Sequence, residues 1–156
     1  MTTVIHRGVS KVIYKHSDME SLRNALLKAA EKCSREGTIF VITDGVFSME
    51  GDIALLPEIR SLCNEFGAIL VVDDSHGTGV MGETGRGTHE HYGMAGEDID
   101  IFTGTLGKAL GGGAGGYVAG KREAVELLVQ RGRPTLFSNA LPVTVACSAK
   151  TAIDTL

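Results

Sequence analysis

Ala68-Ile69-Leu70-Val71-Val72-Asp73-Asp74-Ser75-His76 decides the fold. An unbroken apolar run rich in β-branched residues predicts a strand over 68–72, buried on both faces as in a parallel sheet. Two carboxylates, a hydroxyl and an imidazole come next at its carboxyl end, where open α/β sheets bind ligands. Working outward, Thr38 to Thr43 (TIFVIT) reads as a second strand buried on both faces. Between the two lies the loop Asp44 to Asp52 and a helix from about Leu56 to Phe66. That helix has Pro57 in its first turn, Ile59, Leu62, Cys63 and Phe66 facing inward, and Gly67 as its stop. Strand, helix and strand joined by short links form a βαβ unit, which is right-handed almost without exception.

Upstream, Val4 to Lys15 reads as a weak strand. Ser17-Asp18-Met19-Glu20 has capping-box spacing, with Ser17 as N-cap. Leu22, Leu26, Ala29, Ala30 and Cys33 then fall on one helical face, and Gly37 ends that helix. Downstream, Gly77 to Tyr92 is a polar glycine loop, and Ile99 to Thr103 is a third strand. Tyr117 to Ala119 is a further strand, and a helix runs from Lys121 to about Arg131. Pro134 ends that segment and Leu136 to Asn139 reads as extended. A last helix runs from Pro142 to the end with Val145, Ala149, Ile153 and Leu156 on one face. The predicted class is α/β, a mostly parallel sheet with flanking helices.

The chain has 156 residues, of which 43% are hydrophobic and 22% charged, a globular composition that argues against disorder. A net charge of −4 without a basic run argues against a nucleic-acid partner. No apolar run approaches membrane-spanning length and no secretory leader is visible, so a cytoplasmic or organelle-matrix location is expected, with no membrane partner. Cys33, Cys63 and Cys147 are odd in number and far apart, and read as small buried hydrophobes.

The 21 glycines cluster. Two stretches match Gly-x-Gly-x-x-Gly: Gly77, Gly79, Gly82 and Gly111, Gly113, Gly116. No amphipathic helix succeeds the first, and the second precedes a strand. Both fail the context that a dinucleotide site needs. Phe102 and Ala109 stand where a P-loop needs Gly and Ser or Thr. His89 and His91 lack a third ligand and read as exposed loop histidines, so no metal is expected.

The third strand leads into Thr103-Gly104-Thr105-Leu106-Gly107-Lys108-Ala109-Leu110-Gly111. A lysine amine is nucleophilic only when unprotonated, and desolvation or a nearby cation frees its lone pair. Among small residues, Lys108 is placed to form a Schiff base. Asp73, at the end of a buried strand, needs a partner, and a pyridinium nitrogen is one. Thr105, with nearby N–H groups, could hold a phosphate. Alternatively, Asp73 or Asp74 caps a turn and Thr105 merely ends a strand.

The stretches TDGVFSMEGDIA (43–54), VVDDSHGTGVMGETGRG (71–87), TGTLGKALGGGAGGY (103–117) and RPTLFSNALP (133–142) resemble the α-oxoamine synthases. These are pyridoxal-phosphate enzymes of the aspartate-aminotransferase fold (fold type I). The resemblance covers essentially the whole chain and implies a site. Lys108 would form the Schiff base with pyridoxal 5′-phosphate, and Asp73 would pair with the ring nitrogen. His76 and Ser48 would lie at the phenolic oxygen side with Ser75 beside them, and Thr105 would bind phosphate. Ser138 and Asn139 would reach the phosphate of a second subunit, in a homodimer with its site at the interface. A helix N-cap before Pro142 is the alternative for Ser138 and Asn139.

TGTLGKALGG and LFSN are most similar to the glycine C-acetyltransferase branch of that family. That branch implies a condensation of glycine with acetyl-CoA in threonine and glycine metabolism. Loss of the glycine α-proton to Lys108 precedes attack on the thioester, and coenzyme A and 2-amino-3-oxobutyrate leave. The 8-amino-7-oxononanoate synthase branch, which takes alanine and a pimeloyl thioester, is the alternative. An inactive interaction module of the same fold is a further one. Residues 1–156 resemble the middle of the large domain, without an earlier phosphate-loop segment or a later small domain, so weak or no turnover alone is expected.

Overall fold

The computed structural model describes residues 9–34 and 36–156. Its elements are α1 (Met19–Lys32), β1 (Phe40–Asp44), α2 (Leu56–Phe66), β2 (Ile69–Asp73), α3 (Thr88–His91), β3 (Ile101–Thr105), β4 (Gly116–Gly120), α4 (Arg122–Arg131), α5 (Arg133–Phe137) and α6 (Val143–Thr155). The strands form one sheet in the order β1-β2-β3-β4. β1, β2 and β3 are parallel, and β4 returns antiparallel to β3. This is the mostly parallel α/β sheet that the sequence predicts.

Strand alternation divides the sheet into two unlike faces. Val41 and Thr43 of β1 and Leu70 and Val72 of β2 point to one face, where they are buried. Leu22 and Leu26 of α1 and Leu56, Ile59, Leu62 and Cys63 of α2 complete the core there. Each such large apolar side chain, fully buried, contributes about 1.5–3 kcal/mol. Cys63 lies inside this layer, where burial pushes its thiol up to about 11. α2 stops where Gly67 takes a left-handed φ of 62° and its N–H caps the Asn64 and Cys63 carbonyls.

The other face is partly open, and this corrects the prediction of strands buried on both sides. Phe40 is 53% and Ile42 51% exposed, because no described element covers β1 there. Further corrections concern the ends of elements. Asp18, not Ser17, caps α1: its Oδ1 accepts the Ser21 N–H at 2.8 Å, while Ser17 takes a positive φ in the preceding turn. The strand expected over Val4 to Lys15 falls partly outside the described residues. From Val9 onward it is not a strand, although Tyr14 packs on the core. Leu136 and Phe137 are helical, in α5, because Pro134 opens a new helical turn instead of ending the segment. On α6, Ala149 is buried against Leu106 and Leu110, whereas Ile153 and Leu156 are exposed. Cys33 is half-buried and Cys147 exposed, so only Cys63 fits the reading of buried thiols. Among the described residues, no helix is long and apolar enough to cross a membrane.

Candidate active site

The parallel register aligns three strand ends, pairing Asp44 with Asp73 and Asp73 with Thr103. The period of two puts Asp44, Asp73 and Thr103 on the open face. Two carboxylates therefore stand side by side at the sheet's carboxyl edge. Burial raises the Asp73 carboxyl. Hydrogen bonds from Ser75 and Thr103 and the charge of Lys108 outweigh it and hold the group below the usual carboxylate range. The Ser75 N–H donates to Asp73 Oδ1 at 3.0 Å. Burial pushes Asp44 up, and the neighbouring Asp73 charge adds to it, against the pull of His76 and Lys108. One carboxylate of the pair is thus stabilised as the anion at the expense of the other.

Lys108 reaches this group from the loop after β3. Its Nζ lies 3.1 Å from His76 Nε2. Lys108 is exposed, not enclosed by the small residues around it in the sequence. Asp73, Ser75, His76 and Lys108 are thus brought together. Thr105 is nearby in the chain, but its hydroxyl donates to the Gly115 carbonyl at 3.1 Å and accepts the Gly107 N–H at 3.2 Å. It shapes the lysine loop. Ser48 lies exposed in the turn after β1, and no described hydrogen bond joins it to this cluster. Ser138 and Asn139 are exposed between α5 and α6. The Ser138 hydroxyl donates back to the Pro134 carbonyl, and Pro142 occupies the N-cap of α6. The N-cap alternative for Ser138 and Asn139 therefore fails.

The glycine motifs behave as their context suggests: Gly82 leads into turns and Gly116 opens β4. His89 is a correction. It is half-buried, its ring 5.0 Å from that of Phe102, with a buried Nδ1 that has no partner among the described residues. His91 is exposed.

Sequence reasoning alone misses Asp74. It comes after Leu70 and Val72 on the core face and is 0% exposed. Its Oδ1 accepts the Thr88 hydroxyl at 2.5 Å, and its Oδ2 accepts the Thr88 N–H at 2.9 Å and the Thr78 hydroxyl at 3.4 Å. Gly45, Gly77 and Gly87 surround it. A Cβ on any of them would stand 2.2, 2.1 or 1.9 Å from a carboxylate oxygen. The signal that could find it is the period of two, which sends residue 74 inward if 73 faces the ligand.

The donor set suits pyridoxal phosphate at the amine and ring-nitrogen ends: a lysine amine in contact with an imidazole, and a carboxylate that the lysine's charge helps to hold ionised. Comparison with known proteins gives the same chemistry. Over 145 residues the chain is 53% identical to the 8-amino-7-oxononanoate synthase of Thermoanaerobacter pseudethanolicus, covering 93% of itself and 35% of that protein. It is 50% identical over 138 residues to the 2-amino-3-ketobutyrate coenzyme A ligase of Escherichia coli, covering 88% of itself and 34% of the relative. The solved serine palmitoyltransferase of Sphingomonas wittichii superposes with a TM-score of 0.80 at 34% identity, over 91% of this chain and 34% of that one. The chain therefore spans about a third of the length of the relatives it matches. The two activities stand at nearly equal identity, so the motif-based preference for the glycine branch does not separate them. Pyridoxal 5′-phosphate is the cofactor of these relatives, and the resemblance to α-oxoamine synthases holds. Residues 2–155 match the aminotransferase class I and II family over nearly their whole length, and this chain belongs to that family.

Proposed function

We propose that this chain carries the cofactor-holding core of a pyridoxal-phosphate-dependent acyltransferase that joins glycine to acetyl-CoA, giving 2-amino-3-oxobutyrate and coenzyme A. The carrying observation is the 3.1 Å contact of Lys108 Nζ with His76 Nε2, beside an Asp73 held ionised. Asp73 is the partner for a protonated ring nitrogen, and Lys108 for the aldehyde carbon. His76, with Ser75 next to it, would hold the phenolic-oxygen side of the ring, and Ser48 from the preceding loop would join them there. Thr105, which orders the lysine loop, would hold the phosphate, and Ser138 and Asn139 would serve the phosphate of a second copy in a homodimer. The bound cofactor supplies an electron sink for the α-carbon of the amino acid. Lys108 Nζ takes the α-proton, and its hydrogen bond to His76 Nε2 gives that proton a second resting place.

Pyridoxal phosphate added to the folded chain is expected to give a visible absorbance band that borohydride fixes to Lys108. Lys108→Ala, equally folded, lacks the band. A folded wild-type chain without a band overturns the reading. The 53% identity to an 8-amino-7-oxononanoate synthase supports a second reading, with alanine and a pimeloyl thioester as substrates. Release of free thiol from each substrate pair, measured in a cofactor-loaded protein that carries this chain at the full length of its relatives, decides between the two.

A further inference from the structure

Asp73 and Asp74 are neighbours on one strand end and face opposite ways. Asp73 belongs to the open-face cluster with His76 and Lys108. Asp74 is shut inside the core face with three donors and three glycines against it. A buried carboxylate persists only if hydrogen-bonded, and one so enclosed fixes every group that contacts it.

Two connections lead from Asp74 to the lysine. The first is a relay of hydroxyls. Thr78 donates its single proton to Asp74 Oδ2, so the 2.8 Å bond between Thr78 and Tyr117 takes its proton from the tyrosine. Tyr117 lies on β4 directly opposite Gly104 of β3. A Cβ on Gly104 would stand 2.4 Å from the tyrosine ring carbon Cζ and from its hydroxyl, so ring and strand touch. Gly104 precedes Thr105, whose hydroxyl shapes the lysine loop. The second connection is steric. The glycine loop that Asp74 ties down through Thr78 and Thr88 comes against the lysine loop at Gly79, where a Cβ would be 3.1 Å from that of Ala109.

We infer that Asp74 is a positioning residue: through Thr78, Tyr117 and the glycine loop, it sets the placement of Lys108 against His76 and Asp73. Asp74 touches neither the cofactor nor a reacting atom. The inference rests on the proposal that His76, Asp73 and Lys108 form the working site. Lys108 touches His76, Asp44 is coupled to it through charge, and Asp73 is coupled in turn to both Asp44 and Lys108. A change in their spacing therefore shows in the imidazole's own titration, with no cofactor present.

The test compares the wild-type chain with Asp74→Asn, Tyr117→Phe and, as a control, Arg23→Gln, which breaks the remote surface pair with Glu65. His76 is titrated by NMR without cofactor, and pyridoxal phosphate affinity is measured by absorbance. Asp74→Asn is expected to move the His76 midpoint by about half a pH unit and to weaken cofactor affinity about tenfold. Tyr117→Phe moves both in the same sense by less, and Arg23→Gln moves neither. A folded Asp74→Asn that keeps the wild-type His76 midpoint overturns the inference, as does an Arg23→Gln shift of equal size. If Asp74→Asn does not fold, an unchanged midpoint in Tyr117→Phe overturns it. A wild-type chain that binds no pyridoxal phosphate counts against the proposed function alone, because the cofactor-free titration still decides the role of Asp74.

Discussion

Replacing Thr88 by valine tests whether the buried carboxylate is a keystone of this fold. Thr88 is 0% exposed and supplies two of the three donors to Asp74, its hydroxyl at 2.5 Å and its N–H at 2.9 Å. Valine keeps the shape and the N–H and puts a methyl, which cannot donate, in place of the hydroxyl. What remains is the amide and the long 3.4 Å bond from Thr78. A hydrogen bond to a charged group is worth about 1.5–3 kcal/mol, and a buried acceptor left short adds to its loss, so Thr88→Val should cost about 2–4 kcal/mol. Thr88→Ser keeps the hydroxyl and loses one buried methyl, about 1 kcal/mol. The gap between the two variants isolates the hydrogen bond. The chain has no tryptophan, so urea unfolding is tracked by far-UV circular dichroism. With a slope of about 2 kcal/mol per molar urea, Thr88→Val should lower the midpoint by about 1–2 M, leaving the slope unchanged. A valine variant as stable as the serine one refutes the reasoning, because the carboxylate would then have no need of the hydroxyl.

Gly45→Ala drives a Cβ to 2.2 Å from Asp74 Oδ1 and 2.6 Å from Thr88 Oγ1; it should cost about 3 kcal/mol or more in the same urea assay, as strain in a packed site does. Asp44→Asn should raise the melting temperature at neutral pH. Its native carboxyl is pushed up, so the ionised form carries a penalty that is absent below the unfolded pKa and grows as pH rises through the folded one. The advantage of the variant should therefore vanish in acid, which melts at pH 7 and about pH 3 check. Asp100 behaves oppositely. Burial raises it, but the Leu70 N–H at 2.8 Å and Arg60 at 2.7 Å hold it low. Its contribution is present above the unfolded carboxylate pKa and is lost as pH falls through the folded one, so Arg60→Met should flatten the acid limb of the stability curve. Ile42→Thr on the open face of the edge strand should lower light scattering in concentrated samples without lowering the melting temperature.

The parts of the site legible in the sequence are those fixed by local pattern. The βαβ order could be read because α2 shows its apolar stripe and its glycine stop in consecutive residues, and β2 is a bare apolar run. Lys108, Asp73 and His76 could be read because polar residues at the carboxyl end of a buried strand stand out against the apolar run before them. The illegible parts depend on packing across the sheet. Phe40 and Ile42 are as apolar as Leu70 and Val72, and composition cannot say which of them a neighbour covers. Ser17 lost the cap to Asp18 because the turn before α1 puts Ser17 at positive φ and presents the carboxylate to the Ser21 N–H. Asp74 escapes notice because a second aspartate beside one already placed to meet a ligand looks redundant. Alternation makes it the reverse: a strand that offers one carboxylate to a ligand must turn the next side chain into the protein. There a charge survives only where glycines leave room and hydroxyls supply protons. The glycines at 45, 77 and 87 are needed because any side chain on them would collide with the Asp74 carboxylate.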